Sequence, residues 1–291
     1  MQKLLHGLQS DMRIKLPSYE TRTPDQIREH YEIEKELANR LRCAPRQERC
    51  HLYSSLYDDL YRRVPLHPQL TRKSSSVGTQ YIVALQMKFL HSFLSKDKIF
   101  LEVGPGDCAL SFEVSKYVKQ VYAIDVSDEI TKASAAPENF QLFLSDGCSV
   151  PVPPDSVNVA YSYNLMEHLH PDDAFDQLRH IYNSLAPGGA YICVTPNRIT
   201  GPHDVSKYFD DLATGFHLKE YSTTELSDLF GKIGFSQVTT FVGARGIYVG
   251  FPVFLIAICE MLLDKLRVAI RKIVGINLPL PLPDIRMVGV K

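Results

Sequence analysis

The 291-residue chain has almost no net charge: 32 Lys and Arg stand against 33 Asp and Glu, which leaves −1. A global pull toward nucleic acid or another polyanion is therefore excluded, and no nucleic-acid partner is expected. No run of about 20 uninterrupted apolar residues exists, so a membrane-crossing helix is not expected. The nearest candidate, residues 247–259, ends at Glu260. The apolar run within residues 1–17 is too short for a secretory leader. There is no C-x-x-C pair among the six cysteines, Cys43, Cys50, Cys108, Cys148, Cys193 and Cys259. Cys43, Cys50 and His51 fall short of the roughly four ligands that a structural zinc requires. Reduced thiols in a cytoplasmic protein are expected, with no metal site. No internal repeat is present.

The composition, 45% hydrophobic and 22% charged, is that of an ordinary globular protein with a core of normal size. Three zones can be read. Residues 1–95 have helical periodicity. Thr23, Pro24 and Gln26 form a capping-box start, followed by an apolar stripe at Ile27, Tyr31, Leu37, Ala38 and Leu41. A second helix places Leu52, Leu56 and Leu60 on one face beside Tyr53, Tyr57 and Tyr61, until Pro65 and Pro68 break it. The tyrosine face suits either packing or the wall of a substrate pocket. A third helix spans residues 76–94, with Val77, Tyr81, Leu85 and Phe89 as its stripe. Residues 96–242 alternate strands (99–103, 120–125, 140–144, 156–163, 190–195, 236–242) with helices (109–118, 171–185, 223–233), the pattern of a mostly parallel sheet covered on both faces. Residues 252–274 read as one long helix, apolar all round in its first turns. Further on, Glu260, Asp264, Arg267 and Arg271 form a polar stripe, with Leu262, Leu266, Ala269 and Ile273 facing elsewhere. A Pro-rich stretch, NLPLPLPD, and a last strand at 285–291 follow.

Chemistry concentrates after the first strand. Gly104-Pro105-Gly106 sits between strand and helix, where glycines let the chain turn and a ligand touch the backbone. Asp125 lies about 20 residues on, at the end of the second strand, where an acid can accept hydrogen bonds from ribose hydroxyls. Taken alone this also fits a dinucleotide loop, because Gly104, Gly106 and Ala109 satisfy G-x-G-x-x-G/A. A short-chain reductase would need a Tyr-x-x-x-Lys pair downstream. The only such pair, Tyr31 and Lys35, lies upstream of the loop.

Further motifs follow in order: FLEVGPGDCALSFEVSKYVKQVYAID, LFLSDGCSVPVPPDSVNVAYSYNLMEHL, LAPGGAYICVTPN and HLKEYSTTELSDLFGKIGF. Across residues 99–242 this series resembles class I S-adenosylmethionine-dependent methyltransferases, in particular the small-molecule branch that includes the ubiquinone-biosynthesis O-methyltransferases. Cys108 stands where that family usually has a third glycine. The resemblance implies a Rossmann-like, seven-stranded, mostly parallel α/β sheet with S-adenosyl-L-methionine as cofactor. It implies that Glu102, Gly104 and Gly106 surround the methionine part, with Asn164 beneath it. Asp125 would hold the ribose, and Asp146 and Gly147 the adenine. Glu102 could equally cap the following helix, and Asp146-Gly147 is also a good turn dipeptide. The domain (96–291) would then carry a helical N-terminal extension (1–95), serving as substrate cap or packing, and a helical insertion (247–283) before the last strand.

The implied reaction is methyl transfer to a small molecule, expected at oxygen, for which a histidine base is apt. His168, just after the fourth strand, and His203 and His217, in the long segment after the fifth, are the candidates. His203-Asp204 reads as a base with a nearby acid, or as a metal-leaning pair. A nicotinamide-dependent oxidoreductase and a catalytically silent methyltransferase-like scaffold are the alternatives. Residues 250–274, with Lys265, Arg267, Arg271 and Lys272, suit peripheral membrane contact, a pocket cap, a dimer seam or burial against the N-terminal helices. The acceptor and the oligomeric state are not legible in the sequence.

Overall fold

The computed structural model describes residues 12, 16–18, 20–68, 70, 76–126, 136–244, 246–277 and 282–291. Most of residues 1–17 and the centre of the Pro-rich stretch lie outside them. Helix α1, Pro24–Cys43, starts as its sequence predicts. Thr23 Oγ1 accepts from Gln26 N at 3.3 Å while Gln26 Oε1 accepts from Thr23 N at 2.9 Å. All five residues of its predicted stripe are buried. Helix α2, Arg46–Arg63, buries Tyr53, Leu56 and Leu60. These two helices share one core cluster with the sheet, where Leu37, Leu41, Leu56 and Leu60 join Val103, Ile124 and Met166. Helix α3, Ser76–Leu90, is followed by a 3-10 turn, His91–Phe93. Its stripe is buried only at the C-terminal end: Phe89 is 7% exposed, whereas Val77 is 75% and Tyr81 63% exposed.

The sheet is built from β1 Ile99–Val103, β2 Gln120–Asp125, β3 Phe140–Leu144, β4 Val157–Tyr163, β5 Leu185–Pro196, β6 Gln237–Ala244, β7 Ile247–Pro252 and β8 Asp284–Val290, in the order β3-β2-β1-β4-β5-β8-β6-β7. Strands β1 to β5 are parallel, and β8 lies antiparallel between β5 and β6. Helices α4 Ala109–Val114, α5 Pro171–Ser184 and α6 Thr223–Ile233 make the crossovers. The α6 start is again a capping box, formed by Ser222 and Glu225, and its end is Gly234 at φ 116°. Strand order reverses between β1 and β4, which is the switch point where such sheets bind ligands.

Among the described residues the sheet has eight strands rather than seven. The extra one, β7, comes from the region expected to be helical. The apolar run from Ile247 pairs with β6 as an antiparallel hairpin and ends at Pro252. The expected single helix is two, α7 Val253–Asp264 and α8 Val268–Asn277. The polar stripe is split: Glu260 and Arg271 are buried, whereas Asp264 and Arg267 are exposed, as are Leu262, Leu266 and Ile273. Ile256 and Leu263 pack on Ile199 and Val242, and the closest helical neighbour of α7 is α6 rather than the N-terminal helices. Periodicity identifies two faces but not which one meets the core.

A buried ion pair joins α2 to α5. Arg49 Nε and Nη2 each donate to Asp173 at 2.6 Å, and Tyr53 Oη donates to the same carboxylate at 2.7 Å. Burial opposes the charge on Asp173, but the Arg49 and Tyr53 contacts outweigh it and hold the acid below its usual range. Replacing Arg49 with Ala would strand this carboxylate. The expected loss is about 3–5 kcal/mol of unfolding free energy, measured by urea denaturation. A change below about 1 kcal/mol would show that the pair is not a structural link.

Candidate active site

After β1 the chain turns through Gly104 (φ 72°) and Gly106 (φ 59°), a left-handed conformation that suits glycine. Gly104 N donates to Ile124 O at 2.8 Å, tying the loop to β2. A Cβ on Gly104 would stand 3.1 Å from Leu165 Cδ1, so the loop and the end of β4 pack closely. Cys108, in the place of the third glycine, takes φ 57° as the N-cap of α4. It thus adopts the glycine conformation despite its side chain. Its thiol is buried, and burial together with the nearby Glu102 and Asp125 charges pushes its pKa up to about 12, which removes it as a nucleophile at neutral pH.

Asp125 closes the loop from β2: Oδ2 accepts from Gly106 N at 3.2 Å and Oδ1 from Val126 N at 2.7 Å. Glu102 is buried at the end of β1, and its Oε2 accepts from Ser111 Oγ of α4 at 2.6 Å. Burial, reinforced by Asp107 and Asp125, raises its pKa to about 7. Asp146 Oδ1 accepts from Ser149 N at 2.7 Å and Cys148 N at 3.0 Å, so one carboxylate oxygen serves the turn after β3. Gly147 is left-handed at φ 87°, and a Cβ there would meet Tyr53 Cδ2 at 3.0 Å. Asn164 ends β4 in the left-handed region at φ 52°, which Asn tolerates better than most residues. The topology therefore brings all seven predicted cofactor residues to the C-terminal ends of β1 to β4. The glycine cradle and the Glu102–Asp125 acids suit a ligand with a ribose and a cationic amine.

Beside them lies a histidine cluster. His168 Nδ1 donates to Phe216 O at 3.0 Å, and its ring meets that of His217 edge-on with centroids 5.0 Å apart. Burial, and then the neighbouring His217, lower its pKa to about 3, so it is neutral. His217 Nδ1 donates to Glu220 Oε1 at 2.7 Å. Burial opposes its charge, but Glu220, Asp204 and Glu167 prevail and raise its pKa to about 9. Glu167 is fully buried close to both, and burial pushes its carboxyl up to about 7.

His203 and Asp204 do not form a base–acid pair. The His203 ring faces Asn197 O at 3.1 Å and Thr200 Oγ1 at 3.2 Å, while its backbone N–H donates to Glu220 at 2.7 Å. Asp204 instead accepts from Ser206 N at 3.0 Å and Gly215 N at 3.0 Å. The physical reason is local: Asp204 caps the 3-10 turn Val205–Tyr208. The long segment after β5, residues 197–222, is largely buried.

Residues 101–193 match the family model described as a methyltransferase domain. The chain carries a class I S-adenosylmethionine-dependent methyltransferase domain. A probable S-adenosylmethionine-dependent methyltransferase of Mycolicibacterium smegmatis is 29% identical over 142 residues, 48% of this chain and 52% of that one. The chain thus spans about half the length of this curated relative. An uncharacterized methyltransferase of Geobacillus kaustophilus is 28% identical over 157 residues, covering 48% of this chain and 69% of the relative. Among solved structures, the fold is similar to a 1,6-didemethyltoxoflavin-N1-methyltransferase of Burkholderia thailandensis (TM-score 0.51, 13% identity, 85% of this chain and 91% of that one). It is also similar to a SAM-dependent methyltransferase of Archaeoglobus fulgidus (TM-score 0.50, 15% identity, 73% and 94%).

Three residues of the histidine cluster escape sequence reasoning: Glu167, Glu220 and Glu34. The first two carry a weak local signal, a Glu adjacent to His168 and another three residues after His217. Glu34 carries none, because its Oε2 reaches the site by accepting from Phe216 N at 3.2 Å, across 182 residues of sequence.

Glu102 makes the ligand-free domain pH-sensitive. The folded state holds its proton up to about 7, against 4.5 for the ordinary side chain, so the unfolded chain ionises first. Stability from this group is therefore present below the lower value and is lost as pH rises toward the upper one. Urea denaturation at about pH 5 and about pH 7.5 should show a decline that Glu102→Gln reduces. An identical decline in the variant would exclude Glu102 as its source.

Proposed function

We propose that the protein transfers the methyl group of S-adenosylmethionine to a small-molecule acceptor at an oxygen nucleophile. The observation that carries this is the cradle at the ends of β1 and β2, where two left-handed glycines and the Asp125 carboxylate lie within one hydrogen-bonded turn. S-adenosylmethionine supplies an electrophilic methyl on a sulfonium when bound. The chain supplies position: Asp125 receives the ribose hydroxyls, Glu102 the ammonium end, and Asp146 and Gly147 the adenine, with Asn164 beneath the methionine part. In-line displacement draws much of its rate from such alignment. The acceptor lies between the cofactor and the wall formed by α1, α2 and segment 197–222. There Tyr57 stacks on Phe216 with centroids 5.0 Å apart and stands edge-on to His168 at 6.0 Å. The oxygen acceptor is favoured by the Glu167–His168–His217 group, which gathers a carboxylate and two imidazoles beside the end of β4, polar groups that can orient a hydroxyl.

We infer in addition that α7 and α8 rest on an anionic membrane surface. No helix among the described residues is long and apolar enough to cross a membrane. The exposed face nevertheless carries Phe254, Ile258, Met261, Leu262, Ile270 and Ile273. Of the two acids of these helices, Glu260 is buried against Asn197 and Thr223, and Asp264, although exposed, is paired with Arg271 at 2.5 Å. Exposed Lys265 and Arg267 then leave this face apolar and cationic, complementary to anionic lipid.

Calorimetry with S-adenosylhomocysteine and with NADH tests the first reading, and binding of NADH alone would sink it. Asp125→Ala should weaken S-adenosylhomocysteine about ten- to a hundredfold, the worth of a charge-assisted hydrogen bond. Unchanged affinity would remove the ribose assignment. For the membrane reading, the chain should co-sediment with vesicles containing phosphatidylserine. The variant Phe254→Asp/Leu262→Asp should not. Equal sedimentation of the two, or none by the unmodified chain, would end that reading.

A further inference from the structure

Glu167, His168 and His217 converge beside the end of β4, and one ligand-type atom from each lies within 4.8 Å of the others. Glu167 is fully buried. Its Oε2 accepts from Thr195 Oγ1 at 2.9 Å, but its Oε1 makes no hydrogen bond among the described residues. A buried carboxylate oxygen without a partner is costly and calls for a ligand. His168 Nε2 lies 3.9 Å from that oxygen, too far for a hydrogen bond. Two ligands about 2.0 Å from one tetrahedral zinc stand roughly 3.3 Å apart, so small side-chain shifts bring both atoms onto one ion.

Both imidazoles are prepared for such a role by their other nitrogen. His168 Nδ1–H is held by the Phe216 carbonyl at 3.0 Å, and His217 Nδ1–H by the Glu220 carboxylate at 2.7 Å. Metal-binding histidines are held in this way, through the N–H that does not face the metal, by a carbonyl or a carboxylate. The charge around His217, from Glu167, Glu220 and Asp204, favours a cation. The other such group, His30, Glu34 and His67, differs because its atoms are already engaged. His30 lies 2.6 Å from Arg22 Nη1 and 2.7 Å from Glu34, whose second oxygen accepts from Phe216 N.

We propose that Glu167, His168 and His217 bind one divalent first-row transition ion, with zinc the best match, and leave a coordination position open toward the acceptor. Two imidazoles and one carboxylate favour such an ion over magnesium or calcium, and three protein ligands are the number found in catalytic zinc sites. The ion's role builds on the oxygen-acceptor reading: it ligates the acceptor hydroxyl, whose proton leaves to solvent before attack. The site itself does not depend on that reading.

Titration of the full-length chain with Co²⁺, followed by visible absorption and competed with Zn²⁺, tests the site. One Co²⁺ per chain is expected, with bands of four- or five-coordination that Zn²⁺ abolishes. Glu167→Gln and His217→Ala should each weaken Co²⁺ at least about a hundredfold, and Glu220→Gln about ten- to a hundredfold through the lost support. Retained S-adenosylhomocysteine binding shows that each variant is folded. Independently of any variant, Zn²⁺ should raise the Tm of the unmodified chain. No Co²⁺ binding and no Tm shift, or equal Co²⁺ affinity in the unmodified chain and the Glu167 and His217 variants, would overturn the site. Stoichiometric metal with no methylation of any hydroxyl acceptor would instead refute the acceptor reading and leave the site standing.

Discussion

A buried stretch of irregular backbone governs this molecule. Segment 197–222 connects β5 to α6 with little regular structure, yet much of it is shielded from water. Backbone groups there find few partners in a helix or sheet ladder, so side chains must supply them. Arg42 donates to the carbonyls of Thr214, Gly215 and His217, and Glu34 accepts from Phe216 N. Asp204 accepts from Gly215 N, Glu220 from His203 N, and Glu260 from Thr223 N at the segment's end. Helix α1 therefore does more than cover the sheet. It grips the segment from both sides of Phe216, and the Phe216 carbonyl in turn fixes the tautomer of His168.

The same requirement explains the unusual concentration of buried acids. Glu34, Glu167, Asp204, Glu220 and Glu260 are all nearly inaccessible. Four of them are anchored by backbone N–H donors in or next to the segment. Glu220, Asp204 and Glu167 together keep His217 charged, while burial keeps His168 neutral, so two adjacent imidazoles hold opposite protonation states. Neither state is that of a free histidine. A base with a pKa near 3 is weak, and an imidazolium near 9 has no lone pair to offer at neutral pH. Neither is arranged to take up an acceptor proton unaided, and a divalent ion bound at His217 would displace that residue's proton.

At the far edge of the sheet, satisfaction of polar groups again decides the geometry. Glu260 turns inward because Asn197 Nδ2 and Thr223 N await an acceptor, and Arg271 follows Asp264. Ile256 and Leu263 stay in the core, but most of the other apolar residues of α7 and α8 are left facing out. A hydrophobic pattern that would ordinarily mark a core face becomes an external surface.

Local chemistry made much of the fold legible in advance. The capping box at Thr23, the strand Ile99–Val103 and the Gly104–Gly106 turn each depend on neighbours a few residues away. So did the order of motifs that placed Asp125, Asp146 and Asn164 at strand ends, since alternating strands and helices leave few topologies. What tertiary structure alone decided is longer in range. The contact of Glu34 with Phe216, the separation of His203 from Asp204, the convergence of Glu167, His168 and His217, and the face that α7 turns to the core all rest on partners far apart in the chain. The physical reason is that propensity and periodicity act over a turn or a strand, whereas the partner of a buried polar group is set by which backbone is left unsatisfied after the elements have packed.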